Sequence, residues 1–414
     1  MPPLLPTVPQ PVPGPQLGLP ALPTAPAAPR LTPPAGEGPA RIAILLPLSG
    51  PEQATGRSLL DAALLALFDV GGERITLLPQ DTQGTADGAR AAAAQALQMG
   101  AQLILGPVFS AEVSAVADSA RARDVSVVAF STDASVAGNG VYLLAFMPQQ
   151  QVERVVGYAI SRGLRQFAAL APQTPYGVTV VESLRSVSER FGGTVARTEF
   201  YTADAQELMD PVRRLADYQS RHDRLLSRRR QLEALPDDAT ARRDLAALAG
   251  LDTFGPAPFQ AVLLPEGGAE LRQVAPLLPF FDVDPAQVKF LGTGLWDDPN
   301  LGQEPALVGG WFAAPPPDNL AAFSERFNGV FGYRPQRIAT LAYDAVALAA
   351  ALARSGPDFS REAITTPSGF AGTDGIFRFL PSGIADRGLA VLEVQAKGDK
   401  VIDPAPTTFQ QATN

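Results

Sequence analysis

Residues 41–50 read RIAILLPLSG. Ile42 to Leu46 are all apolar, without the alternation of a strand wetted on one face. A short continuous apolar run stopped by proline and glycine is the pattern of a strand covered on both faces, as in a parallel sheet. Ser49-Gly50-Pro51 closes the run. From Gly56 to Val70, Leu59, Leu60, Ala63, Leu64 and Leu67 then fall at helical spacing. A buried strand, a Gly/Pro turn and an amphipathic helix make one α/β unit.

The unit repeats along the chain. Arg74–Pro79, Gln102–Leu105 and Val125–Phe130 are predicted strands, with helices over Thr85–Met99 and Ser110–Arg121 between them. After a strand at Val141–Ala145 the alternation restarts: helix Gln149–Ser161, strand Gln166–Leu170, helix Tyr176–Phe191, strand Thr194–Phe200. Strands at Phe259–Leu264, Val288–Gly292 and Val308–Phe312 follow, with helices over Gly268–Leu278, Asn319–Phe331 and Pro335–Arg354. Gly375–Phe379 and Leu389–Gln395 read as a closing antiparallel pair. Two successive units of this kind predict an α/β protein with two doubly wound parallel-sheet lobes. Its cleft would lie outside the carboxyl ends of the strands.

Composition narrows the chemistry. The 414 residues carry 33 basic and 42 acidic side chains, a net charge of −9, which argues against a nucleic-acid or anionic-membrane binder. There is no cysteine, so disulfides, thiolate metal sites and thiol catalysis are excluded. His222 is the one histidine, too few for any site built on two imidazoles. No run of 18 apolar residues exists, so no transmembrane segment is expected. The sequence also lacks G-x-S-x-G, P-loop and H-E-x-x-H motifs. The expectation is a protein without catalytic residues, metal or cofactor.

Residues 1–40 hold 14 of the 40 prolines, which predicts an extended, disordered tether. Two readings of it stand: a cytoplasmic tail, or a start downstream of a signal or lipoprotein peptide. Residues 403–414 read as a frayed tail. Glu207–Asp244 carries nine arginines and eight acids, with leucines near helical spacing. This predicts a helical arm inserted at about 205–250, broken at Pro236 and resuming over Ala239–Ala249. It serves either as a solvated helix or as a partner surface.

Five motifs in order, LLPLSG (45–50), ILGPVFS (104–110), Tyr176-Gly177, ATLAYDAVALAAAL (339–352) and GTDGIFRFLPSG (372–383), resemble the type I periplasmic binding proteins of the leucine/isoleucine/valine branch. The resemblance runs from about 41 to 400. GTGLWDDPNL (292–301), GGWFAAPPP (309–317), the arm and residues 261–280 are similar to penicillin-binding protein activators. The resemblance implies a non-enzymatic, bilobed envelope protein, periplasmic or outer-membrane associated, regulating peptidoglycan synthesis through a penicillin-binding protein. The alternative is a receptor for amino acids or amides that feeds an ABC transporter. Lobe 1 would hold 41–146 and about 302–374, and lobe 2 147–301 and about 375–402.

The resemblance also implies a site for a small amino-acid-like ligand in the interlobe cleft. Ser49, Ser110, Ser131 and Thr132 would grip a carboxylate, with Ser110 doubling as a helix N-cap. Asp133 lies beside them and would repel a carboxylate if it pointed inward. Tyr176 would line the cleft, Glu270 or Glu266 would meet an ammonium, and Trp296 would cover the ligand or hold a turn. Tyr343 and Asp344 read as packing and a structural hydrogen bond.

Overall fold

The structure, a computed structural model, describes residues 38–202 and 208–409. Most of the expected tether and the end of the expected tail lie outside these residues. Five strands form the first sheet: β1 (Ala40–Leu46), β2 (Ile75–Asp81), β3 (Leu103–Leu105), β4 (Ser126–Ala129) and β5 (Val141–Leu143). All are parallel, in the order β2-β1-β3-β4-β5. Ile42 to Leu46 are fully buried, as a strand covered on both faces requires. Helices α1 (Gln53–Ala66), α2 (Ala86–Gln98) and α3 (Ser110–Arg121) complete its crossovers. Gly56 allows α1 to start close under β1, since a Cβ there would run into the Pro47 carbonyl.

The chain crosses to the second lobe through Leu144–Met147 and enters α4 (Pro148–Ser161), β6 (Gln166–Pro172), α5 (Pro175–Arg190) and β7 (Thr194–Tyr201). Helices α6 (Met209–Leu215), α7 (Tyr218–Glu233) and α8 (Ala239–Ala247) follow. Next come β8 (Ala261–Leu263), α9 (Gly268–Val274), α10 (Leu277–Phe280), β9 (Lys289–Gly292) and β10 (Trp311–Ala314). Helices α11 (Pro317–Phe331), α12 (Ala339–Leu352) and α13 (Arg361–Ile364) lead to β11 (Phe370–Gly372), β12 (Gly375–Phe379), β13 (Ala385–Arg387), β14 (Ala390–Glu393) and β15 (Lys400–Asp403). The second sheet runs β15-β14-β10-β9-β8-β6-β7, with β14 and β15 antiparallel.

Several expectations change here. Gly375–Phe379 does not pair with 389–395. It sits centrally in a separate antiparallel sheet, β11-β12-β13, because Phe377 and Phe379 pack into the first lobe's core while β14 zips onto β10. The crossings are displaced too: β10 belongs to the second sheet, so the chain leaves lobe 2 after Ala314, not near 302, and returns only at Leu389. Helices α11 and α12 bury Phe323, Phe327 and the alanine face of residues 339–350 against β1 and β3. Beyond 402 the described chain is held rather than frayed: Arg154 donates to the Pro404 carbonyl, and the Arg378 guanidinium lies 4.5 Å from the Phe409 ring centre.

The insertion divides in two. Leu208, Val212, Leu215 and Ala216 sit in the second lobe's own core, so α6 is body rather than arm. Only α7 and α8 project, around a small core of Leu225, Leu232, Ala241 and Leu248. Arg221 staples them to the body. It is buried, and its guanidinium donates to the carbonyls of Gly255 (3.1 Å), Ala216 (3.4 Å) and Asp282 (3.1 Å). His222 contacts the Asp252 carbonyl at 2.7 Å on this arm. Leu215→Ala is expected to cost about 2–5 kcal/mol in urea unfolding. Leu226→Ala, on the exposed face of α7, should stay within about 0.5 kcal/mol. Equal costs would mean that α6 is no more part of the core than the arm is.

Candidate functional site

The loops after the strands set the site's walls. In the first lobe, Asp81 at the end of β2 organises the loop after β1. It accepts the N–H groups of Leu48 (2.9 Å), Ser49 (3.2 Å) and Gln83 (2.8 Å), and the Ser49 hydroxyl at 2.6 Å. Burial alone would raise its pKa, but these four donors outweigh burial and hold it below the usual range. Ser49 is therefore a loop brace, with its hydroxyl proton committed to Asp81.

Ser110 is not the N-cap of α3. Phe109 holds that place with an extended backbone, and its N–H donates to Oε2 of Glu112 at 3.1 Å. Ser110 occupies the first helical position, half-buried. Glu112 is buried beside Thr82, and burial raises its pKa despite that neighbour. After β4, Ser131 is buried and its hydroxyl accepts the Asp133 N–H at 3.2 Å, which makes it a turn former. Thr132 and Asp133 are exposed. The Asp133 carboxylate accepts the Ser135 hydroxyl (2.7 Å) and N–H (3.0 Å). Those bonds hold its pKa below the usual range, and the Ser110 hydroxyl adds to them against a small cost of burial.

In the second lobe, Thr174 caps α5 by accepting the Gly177 N–H at 3.1 Å, and Pro175 starts the helix. This fixes Tyr176, whose hydroxyl donates to Oγ1 of Thr293 at 2.8 Å. Burial pushes the Tyr176 hydroxyl up to about 12, and the charge of Glu266 adds to the rise. Glu266 accepts the Tyr201 hydroxyl at 3.0 Å. Burial first, then Glu266, push Tyr201 far above the usual phenol range. Glu270 is exposed in the first turn of α9, near enough to act on Tyr201.

The structure thus groups Tyr176, Glu266 and Glu270 in the second lobe and Ser110 and Asp133 in the first. Trp296 joins neither. It is fully buried in the second core, and its indole N–H donates to the Leu264 carbonyl at 3.2 Å. Its ring fills the space over Gly292, where a Cβ would overlap it. The expectation that it covers a ligand is corrected: the indole is packing, and Asp297 and Asp298 beside it are ion-paired. Sequence reasoning missed Tyr201, Thr293 and Gln151, which accepts the Gly294 N–H at 2.6 Å. Tyr201 had a signal, an aromatic at a strand's carboxyl end, but Gln151 had none.

A family model described as periplasmic binding protein matches residues 39–399. The chain belongs to the periplasmic binding protein family. Its fold is similar to that of a Rhodospirillum rubrum protein assigned to a branched-chain amino acid ABC transporter (TM-score 0.68, 21% identity, 88% of this chain and 100% of that one). It is also similar to the leucine binding protein LivK of Thermotoga maritima MSB8 (0.57, 20%, 87% and 97%). A third match is an ABC-transporter solute binding protein of Rhodopseudomonas palustris BisB5, in complex with 3,4-dihydroxy benzoic acid (0.61, 15%, 89% and 98%). At these identities the likeness establishes the fold. An uncharacterized protein of Rickettsia prowazekii (strain Madrid E) is 24% identical over 176 residues, 42% of this chain. The chain spans about half of that relative's length. Solute binding accounts for these matches better than activation of a penicillin-binding protein, a role in which none of these relatives is described.

Periplasmic binding proteins close by hinge motion between lobes, so the crossings matter. Here Phe146, on the first crossing, lies between two arginines, its ring centre 4.6 Å from the Arg337 guanidinium and 4.9 Å from that of Arg387. Arg337 joins the lobes: it binds Asp297 of lobe 2 at 2.7 Å and Asp374 at 2.9 Å. Arg387 donates to the Ala145 carbonyl at 3.2 Å and faces Asp344 at 4.0 Å. Asp344 also accepts the Thr373 N–H at 2.6 Å. The expected structural hydrogen bond of Asp344 is therefore present, inside a buried charge network.

Burial, reinforced by Asp374 and opposed by Arg387, pushes Asp344 up to about 7. An unfolded aspartate titrates near ~3.9. The folded state then holds an extra proton between these values, so this group's stabilising contribution is full below ~4 and is lost as pH rises through about 7. Asp399, pushed up to about 6 by burial and by Asp297 and Asp298, acts in the same direction. Urea midpoints measured from pH 5 to 8 should fall with a shallower slope in Asp344→Asn than in the parent. Parallel pH curves would show that Asp344 titrates normally.

Proposed function

We propose that the protein is the solute-binding component of an ABC transporter, working in the periplasm and taking a small polar organic molecule between its lobes. The observation that carries this is the second wall. Tyr176 and Tyr201 are each held by a hydrogen bond, to Thr293 and Glu266, at the carboxyl ends of parallel strands. Ligands of doubly wound sheets bind in that position. Polar groups fixed in advance on a rigid sheet lower the ordering cost of binding. Ser110, Thr132 and Asp133 are the facing groups from the first lobe, with Ser49 and Ser131 shaping the loops that carry them.

Thermal unfolding in the presence of amino acids, amides, amines and aromatic acids tests the reading. A cleft ligand at 100 times its dissociation constant should add about 2.7 kcal/mol of stability. Tyr176→Phe should lower that increment, through loss of the Thr293 bond, without changing the unliganded fold. If every compound leaves the transition where it was, solute binding is not what this cleft does. If a compound stabilises Tyr176→Phe and the parent equally, the ligand lies elsewhere.

A further inference from the structure

The first lobe holds a cavity at the end of its sheet away from the loops described above. Gln102 precedes β3, Asp124 to Ser126 lead into β4, and Asn139 to Tyr142 lead into β5. Residues 359–362, at the start of α13, stand against them. Together they line a space of about 620 Å³, within the ~300–1,000 Å³ of small-molecule sites. Three long-range bonds fix its walls. The Ser126 hydroxyl donates to the Phe359 carbonyl (3.2 Å), Nε of Arg121 to the Asn139 carbonyl (3.3 Å), and the Arg361 guanidinium to the Pro381 carbonyl (3.2 Å).

Tyr142 lines this cavity and is only 4% exposed. Its ring packs edge-on against Phe379, with centres 5.4 Å apart. Its hydroxyl has no hydrogen-bond partner among the described residues. Leaving a buried hydroxyl unbonded costs about 1–3 kcal/mol, so its partner has to come from the cavity, as water or as a ligand. The side chains of Asp124, Asn139 and Glu362 on the rim are also without a hydrogen bond or ion pair among the described residues. Arg121 is engaged by Asp118 at 2.8 Å. Two arginines and two acids line the cavity, Arg121 and Arg361 against Asp124 and Glu362, so their charges cancel.

We propose that this cavity binds a small neutral polyhydroxy compound, of monosaccharide size, through the Tyr142 hydroxyl, the Asn139 amide and the Asp124 and Glu362 carboxylates. A ligand with a fixed charge would meet no net opposite charge here and would lose its hydration on entry. A hydroxyl both donates and accepts, and the lining offers both functions: the carboxylates accept, the Arg361 guanidinium donates, and the phenol and amide do either. Val125 and Phe359, both half-buried, offer apolar surface to the C–H groups of such a compound. Walls held by long-range bonds lower the ordering cost of binding. The site lies at the opposite ends of the strands from the cleft, and it stands or falls separately from the solute-receptor reading.

Ligand-observed NMR and calorimetric titration of the full chain with glucose, galactose, xylose and mannitol test this, with succinate and putrescine as charged comparisons. At least one neutral compound should bind, with little change in affinity as salt is raised. Tyr142→Phe, which keeps the ring, should weaken it by about fivefold. Glu362→Ala should weaken it by about tenfold, and its exposed position covers the case in which Tyr142→Phe fails to fold. Tyr176→Phe, in the other lobe, should leave this binding unchanged. A neutral compound weakened by Tyr176→Phe and by neither first-lobe variant lies in the cleft and overturns the proposal. Silence from all four neutral compounds overturns it as well. So does succinate or putrescine binding more tightly than they do and being weakened by Tyr142→Phe or Glu362→Ala, since the cavity would then select charge.

Discussion

One aromatic ring between two arginines sets the relation of the lobes. Phe146 lies on the first crossing, and the guanidinium groups of Arg337 and Arg387 lie 4.6 and 4.9 Å from its ring centre. Three carboxylates, Asp297, Asp344 and Asp374, surround those arginines. Such a network adds little as a source of stability, since removing so many charges from water offsets most of their attraction. Its consequence is geometric. Losing one member would leave an unpaired buried charge, at a cost of about 3–5 kcal/mol, so the members are fixed as a set. The six come from five parts of the chain: the first crossing (Phe146), the loop after β9 (Asp297), α12 and the residues just before it (Asp344 and Arg337), the turn before β12 (Asp374) and strand β13 (Arg387). The late return of the chain to lobe 2 follows from this. Strands β11 to β13 must stay with the first lobe long enough to deliver Asp374 and Arg387 to Phe146.

The same constraint explains why an insertion is tolerated where it is. Helices α7 and α8 leave the second lobe on the side of α6 and Asp282, remote in sequence from every member of the network. Arg221 anchors them through three backbone carbonyls, none of which belongs to a strand-end loop. The arm has a private core of four residues, too few to hold a lobe together, and its outer face is dense in charge. It can therefore vary without altering the spacing of the two walls.

What was legible in the sequence follows the physics of each element. Buried parallel strands announce themselves by continuous apolar runs, so β1 to β4, β6 and β8 lie close to where residues 41–264 predicted them. The resemblance pointed to Ser110, Tyr176 and Glu270 or Glu266, each in a segment that follows a strand. Partnership across long separations was not legible. Nothing near Gly375 says that it pairs with Gly372 rather than with β14, and nothing near Ala313 says which sheet β10 joins. Trp296 misled because an indole followed by two aspartates looks like a surface lid. In the fold, the absence of side chains at Gly292 and Gly310 makes the space that draws the ring inward. Asp344 sits in an apolar helix, and its partner Arg387 lies 43 positions away, so only the fold reveals a charge network there.

The polar side chains at the strand ends are set by their own neighbours, in protonation as well as in position. Tyr176 and Tyr201 are held high above the usual phenol range by burial, so both remain neutral donors at any physiological pH. Asp133 is held ionised by Ser135. These groups are therefore fixed in protonation as well as in position. Among the described residues, the one ion pair that joins the lobes, Arg337 with Asp297, lies beside the crossing, where the lever arm is short. The crossing therefore pins the lobes at one edge through Phe146, Arg337 and Asp297, and the polar groups that each lobe carries are set by neighbours within that lobe.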